Sequence, residues 1–353
     1  MISAAWEFTK RHKGKLITGA VLIGSTAAYI HASRSKSESL LQQHTGTPPS
    51  LIEARRHYIF DASQKSCDQS ILDLLPSVIL KIQEKFDVEN LTAKLREDNT
   101  LSSNEKLELW GKVKINSIAR VVAVASGFSA LTLALKAQIS ILAGETCTQY
   151  ESTSFSTLDN MMKQVSSFFG KSDTTQAVEP ADVANRRVFL QCIQYFVFKG
   201  LPQLLEEIRS SVEQELSHWS LKDYKSREAL NDLFLKLCEK VITGEKLTSF
   251  IVPLDTLQTS PDENVMKLLT MLKTSLETPL CEVTSISLVD FYISTTIREL
   301  PEKEEPLVKL IPIISNSFNV ISKTEFNSPV YDSLFSSDVH QFAVGVFNGN
   351  RKQ

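Results

Sequence analysis

Residues 104–135 read NEKLELWGKVKINSIARVVAVASGFSALTLAL, a long apolar-periodic stretch without proline. With Leu107 at zero and each residue advanced by about 100°, Ile115, Ile118, Val121 and Val122 fall within about 80° of it and define a core face. On the same wheel Leu109 lies at ~200°, Val113 at ~240° and Trp110 at ~300°, with Lys106 at ~260° between them. A second apolar stripe therefore occupies the first turns. Two readings fit it: a helix buried all round at the centre of a bundle, or an exposed groove wall in which an aromatic and a lysine stem meet a partner helix. From Val121 to Leu135 every residue is apolar or small, between Arg120 and Lys136. About 22 Å of helix is short for a membrane span, so this run is expected in the core of the bundle.

Working outward, apolar periodicity recurs near 70–86, 104–144, 155–169, 182–199, 201–218, 221–243, 262–277, 282–299, 304–321 and 331–347. Strand-like alternation is almost absent, which predicts an all-α fold, a single large helical bundle domain with long central helices. Residues 96–103 and 170–181 read as loops. Ser50-Leu51-Ile52-Glu53 fits a capping box that would start a helix at Leu51. No repeat of solenoid length is visible.

Toward the N-terminus, Leu16 to Ala32 carries no charge and follows the basic cluster Lys10-Arg11-His12-Lys13. Seventeen residues reach about 26 Å, enough to cross a bilayer if flanking Lys and Arg stems snorkel. A cleaved signal, a transit peptide and a buried helix are the competing readings, and each fits less well. The expected organisation is a basic targeting segment 1–15 (Lys10, Arg11, Lys13, Lys15), a transmembrane anchor 16–32, a polar tether 33–50 and a helical domain 51–353. Lys and Arg total 38 against 41 Asp and Glu, a net charge of −3. That balance argues against a nucleic-acid partner bound through bulk positive charge. Residues 1–36 nevertheless carry six basic side chains and one acidic, a net of +5.

Catalytic signals are thin. The five cysteines are far apart and form no CxxC pair, as expected of reduced, buried thiols. The six histidines show no ligand spacing, and no metal or cofactor is expected. A membrane-tethered enzyme with an unrecognised site and a lipid-binding structural tether stand as alternatives to a docking protein.

Several landmarks keep their order along nearly the whole chain: Trp6, Phe8 and the run Lys10 to Lys15; Arg55-Arg56-His57-Tyr58-Ile59-Phe60 with Gln64 and Cys67; Leu91-Thr92-Ala93; Lys106-Leu107-Glu108-Leu109-Trp110; and Pro306 to Ile313. Together they resemble the peroxisomal biogenesis factor 3 family, the third peroxin. The resemblance implies a non-enzymatic peroxisomal membrane protein, with its N-terminus toward the matrix and its helical domain in the cytosol. It also implies docking of the chaperone peroxin nineteen, whose amphipathic N-terminal helix would enter a groove. That groove would hold Trp110 as its aromatic anchor, Leu95, Leu109 and Val113 as apolar flanks, and Lys106 and Lys309 as its cations. Val113 is smaller than the Leu common in the family, and Lys94 replaces an apolar neighbour.

Overall fold

The computed structural model describes residues 49–97, 101–152, 181–242, 244–253 and 262–349. The expected anchor, most of the tether, the basic cluster Lys10, Arg11, Lys13 and Lys15, and the 155–169 stretch lie outside the described residues. Within them the chain is a bundle of helices, as the periodicity predicts. Its helices are α1 (Pro49–Lys85), α2 (Val88–Glu97), α3 (Ser103–Ser152), α4 (Ala181–Leu190), α5 (Cys192–Tyr195), α6 (Leu201–Glu215), α7 (Arg227–Val241), α8 (Gly244–Ile251), α9 (Glu263–Leu276), α10 (Pro279–Arg298), α11 (Leu307–Ile321), α12 (Pro329–Leu334) and α13 (Ser337–Gly349). A π-helical turn, Phe196–Gly200, joins α5 to α6. The only strands among the described residues are β1 (Tyr224–Lys225) and β2 (Glu305–Pro306), paired antiparallel.

α3 is the axis. Its 50 residues span about 75 Å, and α1, α2, α6, α7, α9, α10, α11 and α13 all pack against it. Every side chain from Val121 to Leu135 is buried, so a helix apolar enough to cross a membrane is here the core of the bundle. α10 is also long and apolar enough to span, and half of its apolar window is buried. α1 presents Cys67, Ile71, Leu75, Val78 and Ile82, and just beyond its end Phe86, all buried at three- and four-residue spacing.

Two polar side chains on the buried axis, Lys136 and Ser140, pair with α1, and a third, Gln138, pairs with α4. Lys136 meets Asp68 of α1 at 2.6 Å, and Gln64 donates to Ser140 at 3.0 Å. The spacings 64/68 and 140/136 match in opposite senses, so these contacts hold α1 antiparallel to α3 in one register. Gln138 donates to the Phe189 carbonyl of α4 at 2.9 Å.

At one end of α3, Val113 clusters with Val88, Leu307 and Ile311. At the other, Ala143 and Cys147 cluster with Phe60 of α1 and with Ala343 and Phe347 of α13. About 50 Å of helix separates the two ends.

Several boundaries differ from the sequence reading. α1 begins at Pro49, two residues early, because proline is well accommodated in a first helical turn. α2 and α8 were not anticipated, being short and rich in polar residues. The 221–243 stretch is helical only from Arg227, where Ser226 caps the helix by accepting from the Ala229 N–H. The 331–347 stretch is two helices broken near Phe335. Leu107, the zero of the expected core face, is 63% exposed because the first turns of α3 project beyond the bundle.

Candidate functional site

The projecting end of α3 is well started. The Ser102 N–H and hydroxyl each donate to Glu105 at 2.7 Å, and the Glu105 N–H returns to the Ser102 hydroxyl at 3.3 Å. This capping box satisfies donors that a helix start otherwise leaves open. It fixes the direction in which Lys106, Leu107, Leu109 and Trp110 leave the helix.

α2 lies beside these turns. Asp87 accepts from the Asn90 N–H at 2.9 Å and opens the helix. Val88, Leu91 and Leu95, spaced by three and four, turn one face to α3. A bidentate ion pair locks α2 in place: both terminal nitrogens of Arg120 reach the Glu89 carboxylate, one at 2.6 Å. Arg120 is 1% exposed, and its guanidinium lies 5.0 Å from the Phe318 ring centroid.

The Arg120 hydrogen bonds are the main cause that holds the Glu89 carboxyl below the usual carboxylate range. A lowered carboxylate pKa stabilises the fold above the ordinary value, and that stability is lost as pH falls through the lower native value. α2 is therefore expected to loosen as pH falls through that lower native value. Glu89→Gln should reproduce this at neutral pH, raising amide exchange across residues 88–97 about tenfold or more while residues 121–135 stay protected. The cost should be about 1–3 kcal/mol, less than for a fully buried pair, because the Glu89 side chain is 67% exposed and screened.

The expected site residues take three different positions. Leu95, Trp110 and Val113 come together in one apolar cluster, separate from the main core. Val113 is buried with Val88, Leu307 and Ile311 as its floor, while Leu91, Leu95, Trp110, Trp219 and Leu221 pack half-buried over it. Leu109 is half-buried but is not a member of that cluster. Lys106 is exposed on the first turn of α3. Lys309 is exposed on the first turn of α11 and bonds Glu305 at 2.9 Å, which raises its pKa.

Sequence reasoning missed three contributors. Leu107 is a large exposed apolar side chain beside Trp110. Trp219 and Leu221 form a further wall: the Val308 N–H donates to the Leu221 carbonyl at 3.0 Å, and the Leu307 N–H donates to the Asp223 carbonyl at 2.8 Å. Lys225 sits over the Trp219 ring at 3.7 Å. Trp219 lies more than a hundred residues from Trp110, so no spacing rule links them.

This arrangement offers an aromatic and apolar surface with cations at its margin. The five cysteines are buried. Burial pushes the thiols of Cys67, Cys192, Cys238 and Cys281 up to about 12, leaving them protonated at neutral pH. Among the described residues no group of three or more His, Cys, Asp or Glu side chains is placed to hold a metal ion.

A family model described as Peroxin-3 matches residues 96–328. The chain is 26% identical to Peroxisomal biogenesis factor 3 of Mus musculus and 27% identical to that of Bos taurus, in each case over 98% of this chain and 97% of the relative. It is 23% identical to Peroxisome biogenesis protein 3-2 of Arabidopsis thaliana, over 89% of this chain and 90% of the relative.

Proposed function

Because the chain belongs to the Peroxin-3 family of peroxisome biogenesis factors, we propose that it is a docking receptor of the peroxisomal membrane, without enzymatic activity, that receives the chaperone peroxin nineteen. In this reading residues 16–32 anchor it in lipid, the basic segment before them lies toward the matrix, and the helical domain stands in the cytosol. The partner contributes an amphipathic helix whose apolar face settles over Val113, against Leu95, Leu109 and Trp110.

The observation that carries this reading is the surface around Trp110. A half-buried tryptophan rests on a small cluster of its own, with exposed Leu107 and exposed Lys106 on the same turns. Apolar side chains held at an exposed helix end are well placed to be covered by a partner. Lys106 and Lys309 suit a partner helix carrying acidic residues. The Lys309 bond to Glu305 is an exposed pair and worth little, so exchanging it for a partner carboxylate costs little.

The test is to titrate the full chain, in detergent micelles, with a peptide reproducing the partner's amphipathic helix. Lys309→Glu places two carboxylates four residues apart at the margin. It is expected to slow association by about tenfold at low salt, with the difference shrinking as salt rises. Lys106→Ala should have a smaller effect, because a rim lysine contributes mainly through its stem. Equal association rates for the unsubstituted chain and Lys309→Glu across the salt series would remove Lys309 from the site.

A further inference from the structure

One polar side chain on the site's own helix points inward rather than to the margin. Lys114 lies one turn beyond Trp110 and is 8% exposed. Its ammonium donates to the Leu216 carbonyl at 3.1 Å and to the Trp219 carbonyl at 2.7 Å. Those carbonyls stand just past the end of α6, where a helix terminus leaves acceptors open and attracts a cation. Burial lowers the Lys114 pKa, and the Asp223 carboxylate acts in the opposite direction.

The segment that Lys114 holds is the wall of the site. Residues 216–225 carry Trp219 and Leu221, and Trp219 touches both the main core and the cluster around Val113. On its far side the segment is stitched to the start of α11 by the Leu307 and Val308 N–H groups and by the pairing of β1 with β2. Without Lys114, the direct link between the 216–219 turn and α3 is apolar packing alone, which does not fix a turn in one orientation.

We propose that Lys114 is the positioning residue of the docking surface: by clamping the Leu216 and Trp219 carbonyls it sets Trp219 and Leu221 at the height at which a bound helix meets them together with Trp110. This inference rests on the docking reading above. It adds that affinity depends on a buried lysine the partner need not touch.

The experiment compares Lys114→Met, Lys114→Arg and Trp110→Ala in the full chain in detergent micelles, using the same peptide. Lys114→Met keeps the length of the stem and removes the cation. It is expected to weaken binding about tenfold or more, chiefly through faster dissociation, and to speed amide exchange in 216–225 while 121–135 is unchanged. Lys114→Arg keeps a cation and its donors, and should recover most of the affinity. If Trp110→Ala loses binding while Lys114→Met binds as the unsubstituted chain does, the positioning role is overturned and docking stands. If neither variant changes affinity, docking at this surface fails and the positioning role falls with it. Should Lys114→Met fail to fold, exchange on the unsubstituted chain decides: saturating peptide should slow exchange in 216–225, and an unchanged rate there overturns the role.

Discussion

Gly200→Ala is expected to destabilise the bundle by at least about 3 kcal/mol, lowering its melting temperature by roughly 4 °C or more. A Cβ built on Gly200 would stand 1.8 Å from the carbonyl oxygen of Phe250 and 2.7 Å from its carbonyl carbon. Both atoms belong to the backbone of α8, so no rotamer change can clear them. The π-helical turn that ends at Gly200 buries Phe196 and Val197, so α8 cannot retreat without opening the core. The extra methyl must therefore unseat either α8 or the turn. Gly244→Ala is the matched control: nothing lies within 4 Å of its Cβ position, and the change should fall within about 0.5 kcal/mol of neutral. Near-equal melting of the two variants would mean that α8 does not rest on Gly200.

Trp110→Ala should have the largest effect on binding, weakening the partner peptide by at least about 2 kcal/mol, roughly thirtyfold. A large aromatic that is half-buried in the free protein becomes fully desolvated under a docked helix, and its indole N–H can still meet water at the edge. The stability cost should be smaller, about 1–2 kcal/mol against the roughly 3–5 kcal/mol typical of a fully buried tryptophan, because its support is the small cluster around Val113. Isothermal titration paired with thermal melting separates the two roles. Lost binding with a nearly unchanged melting temperature supports the anchor. A melting temperature lowered as for a core residue, with affinity retained in the folded fraction, would return Trp110 to the core.

The helical fold was legible because its main signal is local. The stripe from Cys67 to Phe86 and the uniform burial of Val121 to Leu135 follow from side-chain spacing and from a run of apolar or small residues with no charge to expose. Leu107 was misread for a physical reason: a helical wheel reports angle but not where along its length the helix leaves the bundle. Two turns further on, that same side of α3 holds Lys114, buried through the carbonyls of a turn a hundred residues away, which no periodicity anticipates. α2 was missed because Lys94 and Arg96 flank Leu95, leaving a narrow apolar face. Its place beside Trp110 came from family resemblance, not from spacing. The capping box at Ser102 and Glu105 lies at the edge of the 96–103 stretch expected as a loop and was not singled out, although it carries the Ser-x-x-Glu pattern. Trp219, Leu307 and Ile311 meet Val113 only through tertiary packing.

α1 gives the molecule the mechanics of a strut. It begins at Pro49, near the α3 end that packs Phe60 against Phe347, and ends two residues before α2, one wall of the site. Its 37 residues make a rod about 55 Å long. On the proposed anchored reading, whatever holds residue 49 would hold the proposed docking surface about one α1 length away. A pull on the chain before Pro49 travels along a hydrogen-bonded column straight into the wall that carries Leu91 and Leu95. Pro76 is the column's weak joint, since it leaves the Leu72 carbonyl without its helical donor. On that reading, load applied at Pro49 would reach the proposed receiving surface through a continuous helix.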